Sequence, residues 1–288
     1  MAEPTTRTFD VPGATLAYDV REPETPSDRR PLFMFGSPMG ASGFEQLVGH
    51  FTDRTVITYD PRGMERSTRA PGSEVEVEVH AEDYHRVVEA VGLGPVDAFG
   101  SSGGGLCGLH WVVAHPEDVT TFVSHEPPAV TLLEDGQTVI KVNADIVDTY
   151  QRDGFGPAMA KFIQLVMHQG PLPDDYLDGP APDPAQFGFP TEDDGSRDDL
   201  LLGGNLAMAP FEPDARALRA SPVRTLPAIG ALGEGGMARR GGEAVARLLG
   251  VEPVIFPGDH GGFAANEWSP DNDPAAFAAK LREVLDET

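Results

Sequence analysis

The sequence predicts an α/β protein. It should have a mostly parallel, twisted sheet of about eight strands, helices on both faces and a helical insertion. Three observations carry this reading. Short apolar runs alternate with helical patterns through residue 127 and again after residue 222. One strand turns into a helix with almost no loop, around Ser102. Polar or glycine-containing motifs follow the strands at Gly36-Ser37, Ser102 and Glu126, where a parallel sheet collects its ligands beyond the carboxyl ends.

The elements follow in order. Residues 7–11 and 15–20 read as antiparallel strands joined at Pro12-Gly13, and residues 23–30 as a polar connection. Residues 32–35, Leu-Phe-Met-Phe, form a continuous apolar run, as in a strand covered on both faces. The run ends in Gly36-Ser37-Pro38-Met39-Gly40, and a helix is expected over 43–51. A strand over 55–59 closes at Asp60-Pro61-Arg62-Gly63. Residues 79–91 read as an amphipathic helix with Val79, Val87, Val88 and Val91 on one side. A strand over 95–99 and a helix over 106–115 flank Ser102, and a strand over 119–125 ends at Glu126-Pro127-Pro128.

The alternation then stops. Helices are expected over 139–150, 156–167 and 197–208, around a stretch at 170–198 rich in Pro, Gly and Asp. Long irregular segments inside a compact fold are usually functional or mobile. Alternation resumes with strands over 226–232 and 253–256 and helices over 238–249 and 274–285. The expected domains are a core of residues 1–127 and 222–288 and a cap of residues 128–221 lying over the carboxyl edge of the sheet.

Composition bounds the partners. The chain has 288 residues and a formal net charge of -25, with 46 acidic and 21 basic residues. Such a surface repels phosphates, so nucleic acid is not expected as a partner. No apolar run reaches the length of a membrane span, and the N-terminus lacks signal-peptide character, so a cytoplasmic protein is expected. The single cysteine, Cys107, cannot form an internal disulfide and reads as a packing residue. No His, Cys, Asp or Glu residues stand at metal-ligand spacing, and no cofactor is implied.

The stretch from Pro95 to Gly105 carries the chemistry. Gly100 and Gly104 stand two residues either side of Ser102, the spacing of a nucleophile elbow. Centred on Ser101 the pattern fails, because Phe99 would occupy a position that needs a small residue. A sharp turn here strains the central residue and presents its hydroxyl above the sheet. The helix behind it aims free N–H groups at any anion that forms there. A serine needs a base within hydrogen-bond reach. Of eight histidines, His260 fits best: it follows a strand, within Gly258-Asp259-His260-Gly261-Gly262-Phe263. His50, His80 and His85 sit at polar helical spacing, and His168 lies in the insertion near any substrate.

With these motifs in place, the chain resembles the α/β-hydrolase superfamily over nearly its whole length. Gly36-Ser37-Pro38-Met39, Tyr59-Asp60-Pro61-Arg62-Gly63, Ser101-Ser102-Gly103-Gly104, His125-Glu126-Pro127-Pro128 and His260-Gly261-Gly262-Phe263 look like a bacterial subgroup of it. The elbow and the Glu after the neighbouring strand are also similar to fungal lactonases that open the macrocyclic ester zearalenone. The resemblance implies a triad in the order Ser, acid, His. The usual acid position holds Gly236, so two candidates stand, Glu126 at the end of a strand beside the elbow and Glu234 in the usual loop. Glu126 is favoured by its place and by the resemblance.

The expected oxyanion donors are the backbone N–H groups of Gly103 and Ser37, with Met39 in reserve because Pro38 has none. Substrate contacts are expected from Gly36, Met39, Pro127 and Phe263, and from Met159 and Phe162 of the insertion, which plain core packing would explain equally well. Arg62 is expected to pair with a buried carboxylate and hold its loop. The implied activity is hydrolysis of a small, largely apolar ester or lactone. Carbon–carbon hydrolysis or perhydrolysis at the same triad, and a binding protein without turnover, stand as alternatives. The sequence leaves a homodimer open.

Overall fold

Side-chain alternation along the central strands sorts apolar residues onto two sides of a sheet. In β3 (Leu32–Ser37), Phe33 and Phe35 join one core layer with Tyr84, Trp111 and Phe122, while Leu32 and Met34 join the other with Phe44, Phe99, Phe256 and Phe277. Every residue of β3 and of β4 (Val56–Asp60) is buried, as a strand covered on both faces requires. These observations come from a computed structural model that describes residues 3–73, 75–266 and 269–287.

The described residues form an eight-stranded sheet, completed by β1 (Thr5–Val11), β2 (Ala14–Arg21), β5 (Val96–Ser102), β6 (Val119–His125), β7 (Arg224–Gly230) and β8 (Val254–Phe256). Its order is β1-β2-β4-β3-β5-β6-β7-β8. β1 and β2 form an antiparallel hairpin, β2 lies antiparallel on β4, and every other pairing is parallel. The predicted α/β class and mostly parallel sheet are therefore present. β4 lies on one side of β3 and β5 on the other, so the winding order reverses between β3 and β5. A crevice opens beyond the carboxyl ends of strands at such a reversal.

The first helical turns are short: a 3-10 turn at Ala41–Phe44 leads into α1 (Glu45–Val48). The helix expected over 43–51 is shorter because the chain turns at Gly49. His50 follows it in that turn, outside any helix. α2 (Val77–Val91) buries Val77, His80, Ala81, Tyr84, Val87 and Val88. Val87, Val88 and Val91 pack against the core layer as expected, but Val79 does not join it, and the His80 and Tyr84 rings are buried on that side instead. His80 is fully buried, which corrects its placement on a polar face.

α3 (Gly103–Ala114) begins at the residue after β5 ends. The strand runs through Ser102 and the helix starts earlier than the predicted residue 106, leaving no loop between them. Cys107 is buried in this helix.

The segment between β6 and β7 carries α4 (Gly136–Asp153), α5 (Phe155–Met167), α6 (Leu200–Gly203) and α7 (Ala215–Ala220). Val139, Val142, Ile146, Tyr150, Leu165 and Leu202 build a third apolar cluster here. The helix expected over 197–208 is broken at Gly204 into α6 and a 3-10 turn, Asn205–Met208. α7 was not foreseen; the Asp214 side chain caps it by accepting from the Arg216 and Ala217 amides. α8 (Met237–Leu249) and α9 (Pro274–Asp286) complete the alternation.

Candidate active site

Ser102 ends β5 and starts α3 with φ +56°, a strained value for a residue with a side chain. The small flanking residues make that turn feasible. A Cβ on Gly100 would come within 2.8 Å of the Phe35 ring, and one on Gly104 within 2.8 Å of the Phe35 carbonyl oxygen. β3 and β5 pair in register, so Ser37 stands opposite Ser102 at the end of both strands.

The next strand delivers the carboxylate. Glu126 follows β6 with φ +45°, and its amide donates to the Ala228 carbonyl oxygen at 2.9 Å. Glu126 Oε1 accepts from the Gly230 amide at 2.8 Å, and Oε2 lies 2.8 Å from His260 Nδ1. Burial alone would raise the pKa of Glu126. The His260 hydrogen bond, the charges of nearby imidazoles and the Gly230 amide outweigh it, and hold the carboxyl below its ordinary value. Arg239 Nη1 donates to the Gly230 carbonyl oxygen at 2.6 Å, tying the far side of the same strand end.

His260 sits in a loop held by Asp259. Its carboxylate accepts from the Gly261 amide at 2.8 Å, Asn272 Nδ2 at 2.8 Å and the Ser269 hydroxyl at 3.0 Å. The His260 side chain is 47% exposed, whereas Glu126 is almost fully covered.

A cavity of about 510 Å³ opens over these residues. Ser37, Ser102, Gly103, Glu126 and His260 line it together. Phe162, Val166, Leu201, Leu206 and Met208 of the inserted segment line the opposite part, with Leu106, Val130 and Met237. A largely apolar chamber with few polar groups suits an apolar ligand held at one polar end.

The remaining sequence candidates fall elsewhere. Glu234 is exposed and does not line the cavity, although Gly233 and Gly236 do. Gly36, Met39, Pro127, Met159 and Phe263 are not among the lining residues. Phe263 is 4% exposed, stacked on Phe44 in the lower core layer, and Met39 packs against the same layer. Met159 packs within the third cluster. His168 is outside the cavity, and its Nε2 lies 3.2 Å from the Pro171 carbonyl oxygen.

The cavity also has polar walls that sequence reasoning missed. Asn143, Gln169, Asn205, Arg239 and Asp259 all line it. Asn143 had a signal: it sits on the apolar stripe of α4 between Val139 and Ile146. Asn205 had none, since it follows two glycines in a segment without periodicity.

Among the described residues, His85, His115 and Glu117 bring ligand-type atoms within 4.8 Å of one another, a grouping invisible to sequence spacing. The two imidazoles stack face to face, with centroids 3.8 Å apart and planes 11° apart. Lone pairs in the planes of parallel rings run side by side and do not converge on one ion. His85 and His115 also each face carboxylates, Asp118 at 2.9 Å and Glu82 at 3.0 Å.

A mostly parallel sheet with a serine on a strained strand-to-helix turn, a carboxylate at the end of the next strand and its imidazole partner on the loop after β8 defines a class. The model of the alpha/beta hydrolase fold matches residues 34–194, and the chain belongs to that family. It is 30% identical over 281 residues to the uncharacterized hydrolase YraK of Bacillus subtilis (strain 168), covering 97% of this chain and 95% of the relative. Among solved structures, a thermophilic esterase from Thermogutta terrifontis superposes with TM-score 0.67 at 18% identity, covering 99% of this chain and 98% of that one. A hydrolase from Pseudomonas aeruginosa PA01 superposes with TM-score 0.67 at 19% identity, covering 98% of each chain. At such identities these two likenesses speak for the fold alone.

Proposed function

We propose that this protein is a serine hydrolase of small, largely apolar carboxylic esters or lactones. The observation that carries the reading is the 2.8 Å contact between His260 Nδ1 and Glu126 Oε2 at the wall of a cavity that Ser102 also lines.

In this reading the Ser102 Oγ attacks the substrate carbonyl carbon while His260 Nε2 takes the hydroxyl proton. Ionised Glu126 holds the Nδ1–H tautomer and offsets the charge of the imidazolium. The carbonyl oxygen becomes an oxyanion facing the N–H groups of Gly103 and Ser37. Collapse breaks the carbon–oxygen ester bond, and the imidazolium returns its proton to the leaving alkoxide. Water, deprotonated by His260, then attacks the acyl-serine, and the acid leaves with Ser102 restored. In a lactone the alcohol and acid remain one molecule. The inserted segment, residues 128–221, acts as the cap, and its Phe162, Val166 and Leu201 receive the apolar part of the substrate.

The test is labelling with a fluorophosphonate, read by intact mass. Wild type should gain one phosphonyl group and lose p-nitrophenyl butyrate hydrolysis in parallel, and Ser102→Ala should do neither. Equal labelling of both would reject Ser102 as nucleophile.

A further inference from the structure

The side chain opposite the elbow serine has one half of its hydrogen bonding in use and the other half open. Ser37 is 2% exposed, lines the cavity and stands in register with Ser102. Its oxygen accepts a hydrogen bond from Asn205 Nδ2 at 2.6 Å. Its own proton goes to no described residue. A hydroxyl with its lone pair engaged and its proton unassigned is a donor waiting for an acceptor.

The same point is crowded by the elbow. A Cβ on Gly103 would come within 2.5 Å of the Ser37 carbonyl oxygen and 3.3 Å of Asn205 Nδ2. The end of β3, the first residue of α3 and the Asn205 carboxamide therefore meet at the elbow. Asn205 is itself 9% exposed, and its Oδ1 has no hydrogen-bond partner among the described residues. A buried carboxamide with an orphaned acceptor is costly. The 2.6 Å bond to Ser37 is its one described side-chain hydrogen bond.

We infer that the Ser37 hydroxyl is a third donor to the oxyanion, beside the backbone N–H groups of Gly103 and Ser37, and that Asn205 is the positioning residue that orients it. This rests on the hydrolase reading above. The Asn205 amide occupies one lone pair of Ser37 Oγ and holds the hydroxyl in place, leaving its proton for the oxygen on which charge develops. A donor fixed before the reaction, in a mostly apolar chamber, acts on the transition state more than on the bound ester. Asn205 belongs to the inserted segment and Ser37 to the sheet, so seating that segment would complete the site.

The experiment uses Ser37→Ala, Ser37→Thr, Asn205→Ala and the Ser37→Ala/Asn205→Ala double variant, all in the full chain. The probes are p-nitrophenyl butyrate and an alkyl trifluoromethyl ketone, whose serine adduct carries an oxyanion. Ser37→Ala should lower kcat about 100- to 1,000-fold with KM little changed, and weaken the ketone by the same factor. Ser37→Thr, which keeps the hydroxyl, should recover most of that loss. Asn205→Ala should lower kcat, yet cost nothing further once Ser37 is Ala. Wild-type kcat and ketone affinity in Ser37→Ala, or a rise in KM alone, would overturn the inference. If Ser102→Ala is dead in that same series, the hydrolase reading survives the failure. If Ser102→Ala still turns over, the hydrolase reading falls first. Should Ser37→Ala not fold, Asn205→Ala decides: a wild-type kcat and ketone affinity there overturns the inference.

Discussion

Glu126 and Glu234 lie on opposite sides of one question, and their surroundings separate them. Glu126 is buried, accepts from Gly230 N and lies 2.8 Å from His260 Nδ1. Glu234 is exposed in its loop. Glu126→Gln should therefore lower kcat by about 100- to 10,000-fold, since the neutral amide neither offsets the imidazolium charge nor fixes the tautomer. Glu234→Gln should leave kcat at the wild-type value, in the same p-nitrophenyl butyrate assay. Ser102, His260 and Glu126 were legible because each sits in a short motif tied to a strand end. Asn205, Arg239 and Asp259 were not: the first two lie in expected helices, where tertiary packing decides which side chain faces the cavity, and nothing in the His260 motif marks Asp259 as a lining residue. The predicted contacts at Met39 and Phe263 show the reverse error. They adjoin motif residues in sequence, but loop geometry sends them down into the apolar layer instead of out to the cavity.

The loop after β4 shows how an element is anchored from a distance. Arg62 donates through Nε and Nη2 to the two carboxylate oxygens of Asp83 on α2, at 2.8 and 2.7 Å. Their side chains are 3% and 0% exposed. Arg66 and the Ala41 amide share Asp60 in the same way, at 2.7 and 2.8 Å. Asp83 has its pKa raised by burial, against the pull of Arg62. Arg62→Leu strands that carboxyl in the interior and should cost about 3–5 kcal/mol, read as a lower urea midpoint. The Arg62→Leu/Asp83→Leu pair should recover most of it. The sequence carried the Arg62 pairing as an expectation, though not its partner. It placed every strand to within a few residues, because strands buried on both faces announce themselves as short apolar runs. Helix faces were less legible: α2 turned on whether His80 and Tyr84 count as polar, which burial decides and residue type does not.

The molecule as a whole keeps two imidazoles neutral in its interior. His80 lies under α2 with its pKa pushed down to about 3 by burial, helped by the nearby charges of Arg62 and Arg69. His125 sits among Phe99, Phe256 and Phe277 with its pKa pushed down to about 4, again chiefly by burial. Among the described residues, neither ring has a hydrogen-bond partner on either nitrogen. In both cases the folded pKa lies below the unfolded value near 6.5, so the unfolded chain binds more protons as pH falls. Stability is full above about pH 6.5 and is lost progressively below it, down to the folded values. At pH 5 the two together should cost about 4 kcal/mol, read as the difference between urea midpoints at pH 7.5 and pH 5. A His80→Gln variant, unable to take up that proton, should lose about half as much over the same interval.

The division of the cavity wall has a consequence for descent. Ser102 and Glu126 stand at the ends of strands in the sheet, whereas Phe162, Val166, Leu201 and Leu206 come from a stretch strung between β6 and β7. Altering that stretch would re-shape one wall of the cavity while Ser102 and Glu126 kept their places on the sheet. On the proposed function, divergence in substrate among such proteins is then expected to concentrate there, with Asn205 held back by its bond to Ser37.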